Sequence, residues 1–277
     1  MDKLCVITGA SGGIGRETAL ALGRTMRLVL VCRDRAKADA VADEIERGGS
    51  ARPEIALADL SSLAEVRAIG RDLAERHPKI DVLVNNAGAM NWKRKVTPDG
   101  IEATFATNHL AHFLLTQLLL PSLRAAAPSR IINVASAAHG GARGISFDDL
   151  RGDGYFFWRR YAESKLANVL FTYELARRLD GSGVTANCLH PGVVATGFGK
   201  NDPGLFKVGV TLARPFLISA AEGARTTIYL ATSPDVAGTS GQYFANCKPK
   251  RSSRASHDEA LQKRLWEVSE KLAGVTF

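Results

Sequence analysis

Leu4-Cys-Val-Ile-Thr8-Gly9-Ala-Ser11-Gly12-Gly13-Ile14-Gly15 runs an apolar, β-branched stretch straight into a glycine-rich turn, and the helical pattern GRETALALGR follows at once. A turn in that position puts backbone N–H groups and the positive end of a helix dipole at the carboxyl end of a strand, where a pyrophosphate is held. In this reading Gly9 makes the sharp exit from the strand, Gly13 lets the backbone approach the ligand and Gly15 lets the helix pack closely on the sheet. Thr8, Ser11, Gly12 and Ile14 belong to the same candidate phosphate site. Any tight strand-to-helix connection also wants glycines, and it is the placement between a first strand and a first helix that favours a nucleotide.

Outward from this turn, short β-branched runs alternate with longer helical patterns. RLVLVC (27–32) precedes a charged amphipathic stretch, and PEIALA (53–58) precedes a helix opened by the capping box Ser62-Leu-Ala-Glu65. IDVLVN (80–85), a helix over 101–123, RIINVAS (130–136), a helix over 159–179 and VTANCLH (184–190) continue the series. A helix over 219–232, a strand near Gln242–Phe244 and a tail with Leu261, Leu265, Val268 and Leu272 at helical spacing close it. The alternation predicts βαβ units and a Rossmann-type, doubly wound α/β fold: seven parallel strands in one sheet flanked by helices. No repeat or Pro/Gly/Ser-rich linker divides the chain, so a single domain over 1–277 is expected, with 1–136 mainly binding a dinucleotide and 137–277 carrying a catalytic helix, substrate loops and the tail. The irregular segments 137–158 and 192–218 both follow strands, where ligand crevices form in open parallel sheets.

The composition suits this class. Over 277 residues, 45% are hydrophobic and 23% charged, which excludes a disordered chain, a collagen-like fibre and a disulfide scaffold. An excess of 36 Lys and Arg over 28 Asp and Glu gives +8, a balance that suits nucleic acid, an anionic membrane or a phosphorylated cofactor alike. Lys248-Pro-Lys-Arg251 with Arg254 has no aromatic interleaving and reads as solvated surface, so no nucleic-acid partner is expected. Cys5, Cys32, Cys188 and Cys247 lie far apart with no CxxC pair and read as reduced thiols. The apolar run begins at Leu4 with no charged n-region, h-region and cleavage site, so a cytoplasmic protein is expected. Leu110–Leu123 and Leu205–Ala221 are interrupted by polar residues and proline, which predicts no membrane span. His109 and His112 lie three apart on a helix, but no third ligand accompanies them and no metal is expected.

After the second strand, where a dinucleotide fold meets the adenosine ribose, the sequence reads Val-Cys-Arg33-Asp34-Arg35. Asp34 alone would argue for NAD, through a carboxylate on the ribose hydroxyls; an adjacent guanidinium pairs with a 2′-phosphate, so NADP(H) is favoured. The alternative for Arg33 is a solvated loop charge, as Arg35 and Lys37 are read. Farther on, Tyr161-Ala-Glu-Ser-Lys165 sets a phenol and an ammonium four residues apart on one helix face. A tyrosine titrates near ~10 in water, and the expectation is that the ammonium, with an oxidised nicotinamide, lowers it. A Tyr/Lys pair at this spacing is, by itself, commonly just surface.

Thr8-Gly9-xxx-Gly13-x-Gly15, Asn85-Asn86-Ala87-Gly88, Asn108, Ser136, Tyr161-xxx-Lys165 and Pro191-Gly192 occur in the order seen in the short-chain dehydrogenases/reductases, which the chain resembles over nearly its whole length. GIGRETA, VCRD, NNAG, YAESKLANVLF, HPGVV and RLWEVSEKLAG look most like the branch of the retinol dehydrogenases and the WW-domain oxidoreductase, which is mostly NADP-dependent. The resemblance implies that Tyr161 is the general acid/base, that Ser136 holds the substrate oxygen, and that Lys165 binds the nicotinamide ribose and tunes Tyr161. It implies that Asn108 anchors a relay water, that Asp59 meets the adenine, that Asn86 and Gly88 border the adenosine ribose, and that Pro191, Gly192 and Thr196 flank the nicotinamide. Leu60, Ala87 and Val194 lie among these positions and fall in the same cofactor set. Outside this constellation Ser136 would read as a strand end, Asp59 as a loop polar group and Asn108 as a helix-bending residue.

The interval from Ser136 to Tyr161 is 25 residues, about twice that of short family members, and its FDDL and YFFW segments are expected to line or cover the pocket. Membrane-bound members carry an N-terminal hydrophobic anchor that has no counterpart here, so a membrane location is not carried over. The expected activity is hydride transfer between NADP(H) and a carbonyl or alcohol. Tyr155-Phe-Phe-Trp158 with Phe198, Leu205, Phe206 and Val208 argues for a small lipophilic substrate, unless these aromatics merely pack a loop onto the sheet. A steroid or tetrapyrrole double-bond reductase and a non-catalytic NADP-binding regulator are the alternatives. A homo-oligomer is left open.

Overall fold

Strands buried on both faces have to be apolar throughout, and the central strands of this sheet are. β1 (Leu4–Thr8) and β4 (Val82–Asn85) are buried at every residue, and β2 (Arg27–Cys32) at all but its first. β3 (Glu54–Leu57) is only half-buried, as befits an edge. β5 (Ser129–Val134), β6 (Val184–His190), β7 (Tyr243–Ala245) and β8 (Lys248–Pro249) complete one sheet in the order β3-β2-β1-β4-β5-β6-β7-β8. The computed structural model describes residues 3–193 and 218–277. Every pairing is parallel except β7 with β8. β1 lies between β2 and β4, so the order reverses at β1, and a ligand crevice opens at the carboxyl ends of these strands.

Alternation along each strand feeds two cores. Val6, Val29 and Leu83 face α3 (Leu63–Arg76), α5 (Ala111–Ala125), α6 (Phe157–Arg178) and α8 (Glu259–Ala273) through Val66, Phe113, Leu166 and Trp266. Cys5, Ile7, Leu28 and Val84 face α1 (Gly13–Leu22), α2 (Arg35–Arg47) and α7 (Ala220–Thr232) through Leu22, Val41 and Leu230. Trp266 sits 5.0 Å from Phe113 and 5.9 Å from Phe171, which clamps the tail helix onto α5 and α6. Among the described residues no helix is long and apolar enough to cross a membrane.

Three differences from the sequence expectations bear on the site. The helix expected over 101–123 is broken: α4 (Ala103–Phe105) passes into a π-helical turn, Ala106–Leu110, before α5 begins. The strand expected over 130–136 ends at Val134, leaving Ser136 beyond it. The seven-stranded sheet gains an eighth, antiparallel strand, because Asn246 and Cys247 both adopt positive φ (52° and 60°) and fold the basic run Lys248–Pro249 back on β7.

Candidate active site

The glycine turn is shaped by what presses on it. Gly9 has φ +69°, and a Cβ there would lie 2.8 Å from the Ala87 Cα. A Cβ on Gly15 would come within 2.2 Å of the Gly9 carbonyl oxygen and 2.5 Å of Asn86 Nδ2, so only glycine lets α1 start this close to β4. The Thr8 hydroxyl accepts the Asn86 and Ala87 N–H groups at 2.9 and 3.0 Å, while Asn86 Nδ2 donates to the Thr8 carbonyl at 2.9 Å. Asn86 thus commits its side chain to holding the turn. No side chain caps α1, whose N-cap Gly12 would find open space around an added Cβ.

At the adenosine end, Asp34 caps α2 by accepting the Lys37 N–H at 3.1 Å and pairs with Lys37 Nζ at 2.8 Å. Those bonds hold its carboxyl below the usual range. The Arg33 side chain is 77% exposed, with Nη1 3.5 Å from Asp59. Burial works against the Asp59 charge, but the Ser61 N–H and hydroxyl together with Arg33 outweigh it and hold that carboxyl low. Leu60 is buried beside it.

The long helix α6 brings Tyr161 and Lys165 to one face, with Lys165 Nζ 5.8 Å from the centroid of the Tyr161 ring. Lys165 donates to the Val134 carbonyl at 3.0 Å, and burial brings its ammonium down to about 8. Burial pushes the Tyr161 phenol up, offset in part by its hydrogen bond with the Ser136 side chain. This departs from the lowering expected of the ammonium together with an oxidised nicotinamide: burial disfavours the charged phenolate, and that cost is the largest influence on the phenol.

Asn108 lies in the π-helical turn, and both hydrogens of its side-chain amide are used. Nδ2 donates to the Ala89 carbonyl and to Ser164 Oγ, both at 2.9 Å, and Oδ1 accepts the Ala89 N–H at 2.7 Å. A Cβ on Gly88 would lie 3.4 Å from Lys165 Nζ and 3.5 Å from Asn108 Oδ1, so the loop after β4, the π-helical turn and α6 converge there. The carbonyl of Asn108 faces His112 Nδ1 at 3.0 Å, and His112 Nε2 faces the Thr8 hydroxyl at 3.1 Å. A carbonyl only accepts, so Nδ1 carries the proton and Nε2 accepts from Thr8. One neutral ring therefore ties the phosphate turn to Asn108. His109, the other half of the weighed metal pair, is buried with Nε2 2.8 Å from Ser269 Oγ, and among the described residues no group of three candidate ligands occurs.

On the substrate side, Trp158 is 47% exposed with its ring 6.2 Å from that of Tyr161. Phe157 packs on Trp92 at 4.1 Å, Tyr155 donates to the Asn91 carbonyl, and Phe156 stands 56% exposed. The YFFW segment is thus divided between packing and the open rim. Pro191 and Gly192 follow β6 directly. Val194, Thr196, Phe198, Leu205, Phe206 and Val208 lie outside the described residues. Trp92 escaped the sequence reading, and His112 was weighed there only as a metal ligand; its spacing four residues after Asn108 on a helix was the available signal for its part in the site.

The model of the short chain dehydrogenase family matches residues 3–203. The chain is 42% identical over 295 residues to retinol dehydrogenase 14 of Mus musculus, covering 99% of this chain and 86% of that protein. Against retinol dehydrogenase 13 of Homo sapiens the identity is 43% over 283 residues, with 99% and 85% covered. Among solved structures, an uncharacterized protein from Mycobacterium Paratuberculosis superposes with a TM-score of 0.80 at 33% identity, over 100% of this chain and 95% of that one. A Beutenbergia cavernae structure described as an NAD(P) dependent gluconate 5-dehydrogenase, with bound NADP, gives 0.71 at 27% identity over 88% and 95%. With the glycine turn, Ser136, Tyr161 and Lys165 gathered at one end of a doubly wound sheet, the chain belongs to the short-chain dehydrogenase/reductase family, in its retinol dehydrogenase-like branch.

Proposed function

We propose that the protein is an NADP(H)-dependent oxidoreductase that moves hydride between the nicotinamide and the carbonyl or alcohol carbon of a lipophilic, retinoid-like substrate. The observation that carries this reading is Lys165 Nζ 5.8 Å from the centroid of the Tyr161 ring on one face of α6, with the Ser136 side chain acting on the same phenol. The chain fits a dinucleotide: α1 is uncapped, and Gly88 leaves room between Lys165 and Asn108. When bound, the dinucleotide supplies or takes up the hydride. In reduction, the Tyr161 phenol, kept protonated by burial, gives its proton to the carbonyl oxygen as negative charge grows there, while Ser136 holds that oxygen. Lys165 steadies the developing phenolate with its ammonium. In oxidation the same proton returns to Tyr161.

NADP over NAD is supported by the use already made of Asp34, whose carboxylate caps α2 and pairs with Lys37, while Arg33, 3.5 Å from Asp59, stays largely exposed for a 2′-phosphate to reach. A lipophilic substrate is supported by the exposed Trp158 beside Tyr161, by the exposed Phe156 in the same segment, and by relatives named retinol dehydrogenases. The deciding experiment follows NADPH oxidation across a panel of retinoid-like, long-chain and small polar carbonyls. Higher kcat/KM for the apolar compounds is expected. A preference for sugars or hydroxy acids overturns the substrate class, and NADPH binding without turnover of any carbonyl or alcohol overturns the enzymatic reading.

A further inference from the structure

Ser136 is followed by a peptide unit that two imidazoles hold from opposite ends. His139, in the 3-10 turn Ala137–Gly141, places Nδ1 2.6 Å from the Ser136 carbonyl oxygen. His190, at the end of β6, accepts the N–H of Ala137 on its own Nδ1 at 3.1 Å. The carbonyl of Ser136 and the N–H of Ala137 belong to one planar amide, so the two ring bonds, with the His139 backbone N–H on the same carbonyl at 3.1 Å, fix its rotation. That rotation is ψ of Ser136, which sets how Cα and Oγ are presented to Tyr161.

The far side of His139 is equally committed. Its Nε2 accepts the backbone N–H of Ser253 at 3.0 Å, across 114 residues of sequence. A carbonyl only accepts and an amide N–H only donates, so both contacts are met by one form of the ring: neutral, with the proton on Nδ1. The Tyr243 ring packs against it at 4.9 Å, and the ring is 5% exposed. The anchor is itself braced, since Ser252 Oγ lies 2.6 Å from both the Tyr173 hydroxyl and Ser256 Oγ. Nothing in the reaction requires an imidazole here.

We propose that His139 is a positioning residue: as the Nδ1–H tautomer it braces the Ser136 peptide against the segment around Ser253, and so aims Ser136 at Tyr161 and the substrate oxygen. This rests on the reading of Ser136 and Tyr161 given above. It makes the C-terminal segment after β8 part of the catalytic support.

Two substitutions separate the two ends of the ring. In His139→Asn the side-chain amide can still donate to the Ser136 carbonyl but falls short of Ser253; in His139→Gln the longer side chain can accept from Ser253 while losing the Ser136 bond. Aiming of Ser136 predicts that Asn keeps kcat within about threefold of wild type, while Gln and Ala lose about tenfold to a hundredfold, the scale on which misplaced catalytic groups cost rate. NADPH affinity should stay within about twofold in all three, since the ring's bonds go to Ser136 and Ser253 and none goes to the phosphate turn. Equal kcat in Ala and wild type, or rescue by Gln and not by Asn, overturns the proposal. Independently of folding in the variants, long-range 1H–15N correlation on histidine-labelled wild-type protein reads the tautomer: Nδ1–H at His139 is expected, and Nε2–H overturns it. If wild type turns over no carbonyl or alcohol, the function reading fails alone, and the tautomer still decides this one.

Discussion

Lys165 Nζ lies 5.8 Å from the centre of the Tyr161 ring yet spends a proton on the Val134 carbonyl. The pair is poised, with a buried phenol above and a buried ammonium below. Removing only the hydroxyl, in Tyr161→Phe, should leave NADPH binding intact and lower kcat by about 10² to 10⁴, the usual span of general acid/base catalysis. A variant that keeps more than about a tenth of the wild-type rate with a true substrate would contradict the assignment.

The same relationship sets a pH dependence. Burial brings Lys165 to about 8, so it is charged below that pH and neutral above it. Reductive kcat/KM, which reports groups of the free enzyme, should therefore fall as pH rises through about 8. Lys165→Arg keeps its charge across this range and should lose that limb, whatever rate it retains. An unchanged alkaline limb in the arginine variant would assign it to another group.

Cofactor choice turns on Arg33. A charge-assisted contact to a phosphate contributes roughly 1.5 to 3 kcal/mol, so Arg33→Ala should weaken NADPH about tenfold to a hundredfold and NADH far less. Fluorescence titration of both cofactors measures the difference. Equal losses would show that Arg33 does not meet a 2′-phosphate.

Acid should unfold the protein through its buried histidines. His109 and His112 are held down to about 3 from an ordinary 6.5, chiefly by burial. Between those values the unfolded chain binds more protons than the folded one, so stability is complete above about 6.5 and declines as pH falls towards 3. At pH 5 each ring costs about 2 kcal/mol, from about 1.4 kcal/mol for each unit below the unfolded value. Urea melts at pH 7.5 and pH 5 should differ by several kcal/mol; equal midpoints would mean that these rings are not buried and neutral.

Overpacking tests the glycine turn. Gly15→Ala would drive a methyl group to 2.2 Å from the Gly9 carbonyl oxygen, a backbone atom that cannot swing aside. A loss of about 1 to 3 kcal/mol in stability is expected, together with weakened NADPH binding as α1 is pushed off the turn. Thermal melts with and without NADPH read both effects, and an unaffected variant would deny the close approach of α1 to β4.

What depended on neighbours in the chain could be read from the chain. The run from Leu4 to Gly15 carries its strand, turn and helix in order, and both β1 and α1 lie where apolar runs and glycines put them. Ser62 caps α3 through the Glu65 N–H as the capping pattern implies, although the Glu65 carboxylate reaches the N–H of Asp59 rather than that of Ser62. Tyr161 and Lys165 share a face because helical spacing is a local rule.

The rest was decided only when distant segments met. Asp34 looked available to a ribose until α2 used it as a cap, and the Tyr161 phenol looked set to fall until burial raised it. The bond from His112 to Thr8 spans 104 residues and that from His139 to Ser253 spans 114. Periodicity and turn chemistry act over a few residues, so they determine elements and their order. Burial, tautomer and the direction of a hydrogen bond belong to pairs brought together by the sheet, and they exist only in the folded chain.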